Sequence, residues 1–361
     1  MNIAVIDADL IGKKKHRFPN LASMKIAGYH KELGDFVTLK TDYDDLKDFD
    51  KVYISKVFTD TPVDENVLNL PYVQYGGTGF YYDKAPKLKE EIEHHMPDYH
   101  LYDDWISEQI KNGVNKNSFK CYTDYSIGFI TRGCFRKCEY CVNKNCNTVV
   151  LNSHLHEFYD NSRKKICLLD DNILGYPHWK EIFEQLQETG KPFRFKQGMD
   201  ERLLTPEKCK VIFQSKYDGN FIFAFDNIKD YDLIEKKLNL LREYTDKCIM
   251  FYVLCGFDRN NKYDKDFWKN DIFDMFSRIK LLMKYHCISY IMRFNRYVES
   301  PYAGVYKTVA AWCNQPSFFK KKSLREFGIE SLKMQKARNK YIVDFEQKFP
   351  EFREYMDMKW K

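Results

Sequence analysis

Short apolar runs alternate with amphipathic stretches along the first 115 residues. Strands are predicted at residues 3–6, 36–39 and 51–55, and a further strand is predicted to end at Tyr75-Gly76-Gly77. A helix is predicted between the first two strands, over residues 20–33. Strands separated by single helices connect through right-handed crossovers, which favours a mostly parallel, doubly wound sheet. We therefore expect a Rossmann-like α/β domain over residues 1–115.

From residue 122 the pattern changes to six strand-helix units, typical of a partial (βα)6 barrel of the TIM type over residues 116–300. The last residues, 301–361, are predicted to form a short helical extension. In the six units the apolar residues recur at steps of three and four between short apolar runs. The strands are predicted at 126–131, 165–170, 193–197, 221–226, 248–256 and 288–294, and the main helices at 179–189, 206–215, 231–244 and 267–285.

Composition agrees with a folded protein and sets few limits on its partners. Of 361 residues, 44% are hydrophobic, and no apolar run approaches the roughly 20 residues that span a bilayer. The N-terminus has a strand pattern without the order of a signal peptide, so we expect a cytoplasmic protein with no membrane contact and with reduced thiols. The net charge of +6 permits an RNA partner, and the densest basic clusters are residues 13–17 and 320–325.

Three cysteines are the main chemical signal in the chain. Cys134, Cys138 and Cys141 have a C-x3-C-x2-C spacing just after a predicted strand. Three thiolates on a short loop can hold three irons of a [4Fe-4S] cluster, and the fourth iron is then open to a small molecule, which indicates catalysis. Two alternatives are a zinc knuckle, for which Cys146 is a loose candidate as fourth ligand, and three unrelated buried cysteines.

The cysteine motif, with aromatic Tyr140 before its last cysteine, resembles the cluster loop of radical S-adenosylmethionine enzymes. This resemblance implies that the open iron is chelated by S-adenosylmethionine and that Tyr140 lies against the adenine. It also implies that a one-electron donor such as flavodoxin or ferredoxin reduces the cluster. Reductive cleavage would then generate a 5′-deoxyadenosyl radical, which abstracts hydrogen from a substrate that the sequence does not reveal.

Polar residues at the predicted strand ends are further candidates, since barrel enzymes place their chemistry there. Asp170, Asp171 and Asn172 follow the second strand and either accept from the ammonium group of S-adenosylmethionine or cap a helix. Arg202 lies in a segment that resembles a G-x-D-x-R motif, and it either reaches the methionine carboxylate or pairs with Asp200. The other candidates for cofactor binding are Gln197, Asp226, for the ribose or the substrate, and Gly256, where adenine could approach the backbone closely.

The first domain resembles the cobalamin-binding-like domain that precedes many radical S-adenosylmethionine barrels. The family's D-x-H-x-x-G motif, whose histidine ligates cobalt, is replaced by Asp7-Ala8-Asp9-Leu10-Ile11-Gly12. The sequence therefore predicts that cobalamin does not bind. Two alternative functions stay open, a cobalamin-dependent radical methyltransferase and a non-catalytic iron-sulfur or zinc protein that binds nucleic acid.

Overall fold

The computed structural model describes residues 1–13, 18–334 and 337–360. Most of the first basic cluster, residues 14–17, lies outside the described residues. The chain divides into two compact units, residues 1–171 with 184–194 and residues 172–183 with 195–361. The domain boundaries near 115 and 300 stay predictions.

The strands of the described residues belong to four sheets and alternate with helices along most of the chain. In chain order they are β1 (Asn2–Asp7), β2 (Phe36–Lys40), β3 (Lys51–Ser55), β4 (Val73–Gly76), β5 (Tyr125–Gly128), β6 (Thr131–Arg132), β7 (Val150–Leu151), β8 (Lys165–Leu168), β9 (Phe193–Phe195), β10 (Ile222–Ala224), β11 (Ile249–Cys255) and β12 (Cys287–Arg293).

The helices range from single turns to the 20 residues of the longest. In chain order they are α1 (Ala8–Gly12), α2 (Leu21–Glu32), α3 (Glu65–Leu68), α4 (Thr78–Tyr81), α5 (Glu90–Glu93), α6 (Asp103–Lys111), α7 (Lys120–Thr123), α8 (Trp179–Glu188), α9 (Pro206–Gln214), α10 (Tyr231–Arg242), α11 (Lys265–Lys284), α12 (Ala303–Cys313), α13 (Pro316–Phe319), α14 (Leu324–Lys333), α15 (Arg338–Lys348) and α16 (Arg353–Met356). No helix of the described ranges is both long and apolar enough to cross a membrane.

The N-terminal sheet has the strand order β2-β1-β3-β4, and its strands are parallel. Strand β1 is buried from Ile3 to Asp7, as expected for a central strand that is covered on both faces. Ile3 packs in a core cluster with Met24 of α2, whereas the next residue, Ala4, packs in a second cluster with Ile54 of β3. The parallel strand pairing, together with packing on both faces of β1, confirms the predicted parallel α/β sheet.

The six strands predicted after residue 122 are present, and they belong to two further sheets. One has the order β5-β8-β9 and the other the order β10-β11-β12. The pairs β5 with β8, β10 with β11 and β11 with β12 are parallel, and an isolated parallel bridge joins Met199 to Phe223. The parallel α/β class is thus confirmed, and the partial (βα)6 barrel stays a prediction.

Candidate functional site

The three motif cysteines lie on one loop, residues 133–149, which we call the cysteine loop. It leaves β6 and returns on β7, and antiparallel pairing of these two short strands holds its ends together. Gly133 enters the loop with a φ of +92°, and a Cβ atom at this position would overlap the carbonyl oxygen of Thr148. Glycine is required here because it combines the positive φ with this close approach.

Backbone groups of the cysteine loop point at the cysteine sulfurs. The N–H of Arg136 donates to the sulfur of Cys134 at 3.4 Å, and the N–H of Asn143 donates to the sulfur of Cys141 at the same distance. The N–H of Cys141 also donates to the carbonyl of Cys138 at 2.9 Å, which closes a turn between the two cysteines. Hydrogen bonds of this kind stabilise negative charge on sulfur and tune the potential of iron-sulfur clusters.

The three thiols are half-buried. Burial is the largest cause that raises the pKa of Cys141, and the N–H of Asn143 acts in the opposite direction. Cys138, Asp171 and Cys134 raise this pKa further, because each would bring negative charge near the same sulfur. Thiolates assembled in this way are stabilised by a bound cation. The cysteine loop therefore carries three thiol groups of the type that binds iron-sulfur clusters.

A single bound metal ion would need several ligand side chains that converge on one point. In the ranges that the structure describes, no group of three or more His, Cys, Asp or Glu side chains is placed so that it could hold a metal ion. In a [4Fe-4S] cluster each thiolate binds a different iron, so its ligands lie farther apart than the ligands of one ion. Ligation of a cluster by Cys134, Cys138 and Cys141 stays a prediction.

Asp171, three residues after the end of β8, forms hydrogen bonds to two residues of the cysteine loop. Its Oδ2 accepts from the backbone N–H of Gly133 at 2.7 Å, and its Oδ1 accepts from the side-chain amide of Asn143, also at 2.7 Å. One carboxylate thus joins the entry of the loop to a residue beyond the third cysteine. Both bonds are charge-assisted, which makes them stronger than hydrogen bonds between neutral groups.

Asp170 is fully buried and holds the segment that leads into β6. It accepts from the backbone N–H groups of Ile130 and Thr131 at 3.3 and 2.6 Å, and from the Thr131 hydroxyl at 2.7 Å. Burial raises the pKa of Asp170 to about 6, against the effect of these hydrogen bonds. The N-cap position of the next 3-10 turn is held by the buried Asn172, whose side chain makes no capping bond. Neither aspartate is therefore the capping residue, and their binding of an ammonium group stays a prediction.

The segment after β4 also contacts the cysteine loop, at residues other than those that Asp171 binds. The Tyr82 hydroxyl donates to the carbonyl oxygen of Tyr140 at 2.5 Å. Asp83 accepts from the side-chain amide of Asn145 at 3.0 Å and forms an ion pair with Lys144 at 3.2 Å. Residues on both sides of the third cysteine are therefore bonded to two consecutive residues of the N-terminal segment.

Arg202 and Asp226 belong to the second unit, and both have protein partners. The Arg202 guanidinium donates to Asp200 at 2.7 Å and to Asp230 at 2.9 Å. The internal pairing that the sequence offered as one alternative is therefore present. Asp226 accepts from the backbone N–H of Leu254 at 3.1 Å. Contacts of Arg202 with a carboxylate ligand and of Asp226 with a ribose stay predictions.

Gly256 has a φ of +78° at the end of β11, in the left-handed region that favours glycine. Its N–H donates to Asp271 at 2.8 Å, and a Cβ atom would lie 3.1 Å from the Cβ of Tyr297. The glycine therefore serves the close packing of Tyr297, and its contact with adenine stays a prediction. Gln197 is exposed between β9 and the Met199 bridge, and its role in cofactor binding is likewise untested by these contacts.

Two buried aspartates lie at the carboxyl end of β1, where the strand order of the N-terminal sheet reverses between β1 and β3. Such a switch point is the usual ligand crevice of open α/β sheets. Asp9, at the position of the histidine in the cobalamin motif, accepts from the Val57 N–H at 2.7 Å and from the Thr61 hydroxyl. Asp7 accepts from the Tyr102 hydroxyl at 3.0 Å, and burial raises the pKa of Asp7 to about 7.

Several residues of the site were not predicted. Asn143 lies beyond the motif, and Tyr82 and Asp83 lie 58 and 62 residues before their partners Tyr140 and Asn145. The aromatic run that follows Gly76-Gly77 is the local signal that could have directed attention to this segment. Its partner could not be identified from the sequence, because the contact depends on the path of the chain in three dimensions.

Comparison with known proteins gives little support for a closer assignment. No family model and no curated protein matches the chain. Among solved structures, it is similar to a cobalamin-dependent S-adenosylmethionine radical enzyme, OxsB, solved with aqua-cobalamin bound, at 13% identity and a TM-score of 0.36. The match covers 81% of this chain and 49% of that one, so the chain spans about half the length of the structure it matches. The prediction that cobalamin does not bind receives no support from this comparison.

Proposed function

We propose that this protein is a radical S-adenosylmethionine enzyme. The observation that carries the proposal is the cysteine loop, in which three half-buried thiols lie in a C-x3-C-x2-C motif and two of them accept backbone N–H bonds. The motif resemblance, with Tyr140 before the last cysteine, links this arrangement to S-adenosylmethionine. The parallel α/β fold is compatible with the proposal but does not single it out.

In this proposal Cys134, Cys138 and Cys141 each bind one iron of a [4Fe-4S] cluster, and the fourth iron has no protein ligand. When bound, the cluster supplies the electron that cleaves S-adenosylmethionine into methionine and a 5′-deoxyadenosyl radical, which takes hydrogen from the substrate. The electron comes from a donor such as flavodoxin or ferredoxin. The protein contributes the orientation of the ligand and the exclusion of water.

Asp171 is the better candidate of the two aspartates for the ammonium group of S-adenosylmethionine. Asp170 is fully buried and already accepts three hydrogen bonds, whereas Asp171 is half-buried and accepts one bond at each oxygen. An ionised carboxylate has about four lone-pair sites, so Asp171 retains capacity for a further donor. We propose that it combines this contact with its hold on the cysteine loop.

The decisive experiment is an assay of S-adenosylmethionine cleavage. Anaerobically reconstituted protein, reduced with dithionite, should form 5′-deoxyadenosine and methionine, slowly in the absence of substrate. Cys138→Ala should abolish this product, whereas Cys146→Ala, on the same loop but outside the motif, should retain it. Wild-type protein that carries a cluster but forms no 5′-deoxyadenosine with any reductant or with cell extract would refute the proposal and favour a non-catalytic iron-sulfur protein.

The same preparation tests for cobalamin. Protein isolated from cells that were supplied with cobalamin should be analysed for bound corrinoid and for methylated products. Stoichiometric cobalamin would make radical methyl transfer the leading reaction. Absence of corrinoid together with 5′-deoxyadenosine formation would leave hydrogen abstraction as the reaction.

A further inference from the structure

The segment from β4 to Asp83 is built to reach the cysteine loop. Gly77 has a φ of +105°, and a Cβ atom on it would overlap the carbonyl oxygen of Lys56. Gly79, two residues on, donates its N–H to the same carbonyl at 2.9 Å and leaves no space for a side chain. The two glycines hold the start of α4 directly against the end of β3. We call residues 77–83 the glycine arm.

The glycine arm ends in an uncommon backbone conformation. Tyr82 has φ +50° and ψ −110°, outside the regions that bulky residues usually adopt. Such a conformation persists only where surrounding contacts impose it, and these conformations occur often at functional sites. At Tyr82 it accompanies the bond from the hydroxyl to the carbonyl of Tyr140, next to the third cysteine.

Asp83 extends this contact beyond the third cysteine. It accepts from Asn145, and its partner Lys144 lies 5.4 Å from the centre of the Tyr82 ring. The glycine arm therefore contacts the cysteine loop before Cys141, through Tyr140, and after it, through Lys144 and Asn145. Asp171 bonds to the same loop through Gly133 and Asn143, which are different residues.

We infer that Tyr82 and Asp83 are positioning residues, which hold the cysteine loop from its Tyr140 side so that Cys141 and Tyr140 keep the placement that the cluster and S-adenosylmethionine need. The inference rests on the proposed function for the identity of the bound groups. It gives the N-terminal domain a direct role at the site, which does not require a ligand in its own crevice. Both residues act through the cysteine loop, Tyr82 through the carbonyl of Tyr140 and Asp83 through Lys144 and Asn145.

Two variants test the inference in the full-length chain. Tyr82→Phe removes only the hydroxyl, and Asp83→Asn removes the charge that pairs with Lys144. The matched controls are Tyr244→Phe, whose ring is 38% exposed and lies outside the glycine arm, and Asp104→Asn, an exposed residue of α6. Two positioning variants guard against the case in which one of them fails to fold.

The first readout is hydrogen exchange of residues 133–146 in protein without cluster. Both positioning variants should exchange about three- to tenfold faster in this segment, because loss of a hydrogen bond of ordinary strength raises the equilibrium constant for local opening by about that factor. The controls should match wild type. The second readout is the electron paramagnetic resonance spectrum of the reduced cluster and its change on titration with S-adenosylmethionine. We expect an altered spectrum and about three- to tenfold weaker binding in both positioning variants.

The two readouts separate the possible failures. If wild type binds no cluster while exchange is faster in the variants, the proposed function is refuted, but stabilisation of the cysteine loop by Tyr82 and Asp83 is supported. If wild type holds a cluster and the variants equal their controls in both readouts, the inference is overturned and the proposed function is unaffected. Altered exchange with unchanged spectra and affinity would also overturn it, because a purely structural contact gives that result.

Discussion

The side-chain amide of Asn143 donates a hydrogen bond to Oδ1 of Asp171 at 2.7 Å. This bond connects the cysteine loop to the segment just after β8. The second oxygen of Asp171 accepts from Gly133, so that Asp171 needs two acceptor atoms for its structural role. This requirement makes it possible to separate the structural role of Asp171 from a role in ligand binding.

Asp171→Asn should weaken the loop, and exchange of the partners should restore it. Asparagine keeps one acceptor but turns an amide N–H2 toward a donor, which should cost about 1 to 3 kcal/mol of unfolding free energy in protein without cluster. In the double variant Asp171→Asn with Asn143→Asp, the amide introduced at position 171 would accept from Gly133 and donate to the carboxylate introduced at position 143. Stability measured by urea unfolding should therefore recover, and Asp104→Asn should match wild type.

The same double variant examines ligand binding. If Asp171 also accepts from the ammonium of S-adenosylmethionine, moving the carboxylate from position 171 to position 143 should weaken binding by roughly ten- to hundredfold even where stability has recovered. Recovery of both stability and affinity would show that Asp171 serves the loop alone.

The sequence predicted the strands of this region but not how they end. Strand β5 was predicted to continue to residue 131, yet it ends at Gly128, and a separate strand, β6, begins at Thr131. The physical reason is Asp170, which accepts the N–H groups of Ile130 and Thr131 and so replaces a strand partner. Local patterns of apolar residues do not record such a bond between residues about 40 positions apart.

In the candidate site, too, short local motifs could be predicted from the sequence, whereas contacts between distant residues could not. The three cysteines and Tyr140 could be recognised because their chemistry is contained in eight adjacent residues. Arg202 and its neighbouring partner Asp200 could be recognised, but the second partner, Asp230, could not, since it is 28 residues away. The role of the glycine arm depends on tertiary contacts throughout, and the two glycines in it have no spacing that distinguishes them from an ordinary turn.

Gly128→Ala should destabilise the protein more than Gly304→Ala, although both Cβ atoms would overlap an aromatic ring. Gly128 faces Phe158, which is 1% exposed and cannot move without disturbing its neighbours, so we expect a loss of about 1 to 3 kcal/mol. Gly304 faces Tyr341, which is 44% exposed and can turn toward solvent, and alanine favours the helix there. Equal losses in urea unfolding would contradict this explanation.

Asn314→Ala should destabilise β12, the edge strand of the sheet with the order β10-β11-β12. The Asn314 side chain accepts from the N–H of Ile291 at 2.7 Å and donates to its carbonyl at 3.1 Å, as a neighbouring strand would. Loss of both bonds should lower the unfolding free energy by about 1 to 3 kcal/mol and speed hydrogen exchange at Ile291. The adjacent Gln315→Ala, an exposed position, is the control, and similar exchange at Ile291 in both variants would argue against the strand-like role.

Glu201 is a fully buried carboxylic acid. Both of its carboxylate oxygens lack a hydrogen-bond partner within the described part of the chain. Burial, assisted by Asp200, raises the pKa of Glu201 well above its ordinary value, whereas Lys237 and Arg242 act in the opposite direction. Glu201 therefore keeps its proton in the folded state at pH values where the unfolded chain has lost it.

The sign of the resulting pH dependence follows from proton binding. Above the unfolded pKa of 4.5 the folded state binds one more proton than the unfolded state, so stability contributed by this group falls as the pH rises, until the folded pKa is reached. Glu201→Gln has no proton to lose, so its stability relative to wild type should increase from pH 4 to pH 8. Urea unfolding across this range measures the difference, with the exposed Glu184→Gln as control. Parallel curves for wild type and Glu201→Gln would show that Glu201 is ionised in the folded protein and has a partner that stabilises its charge.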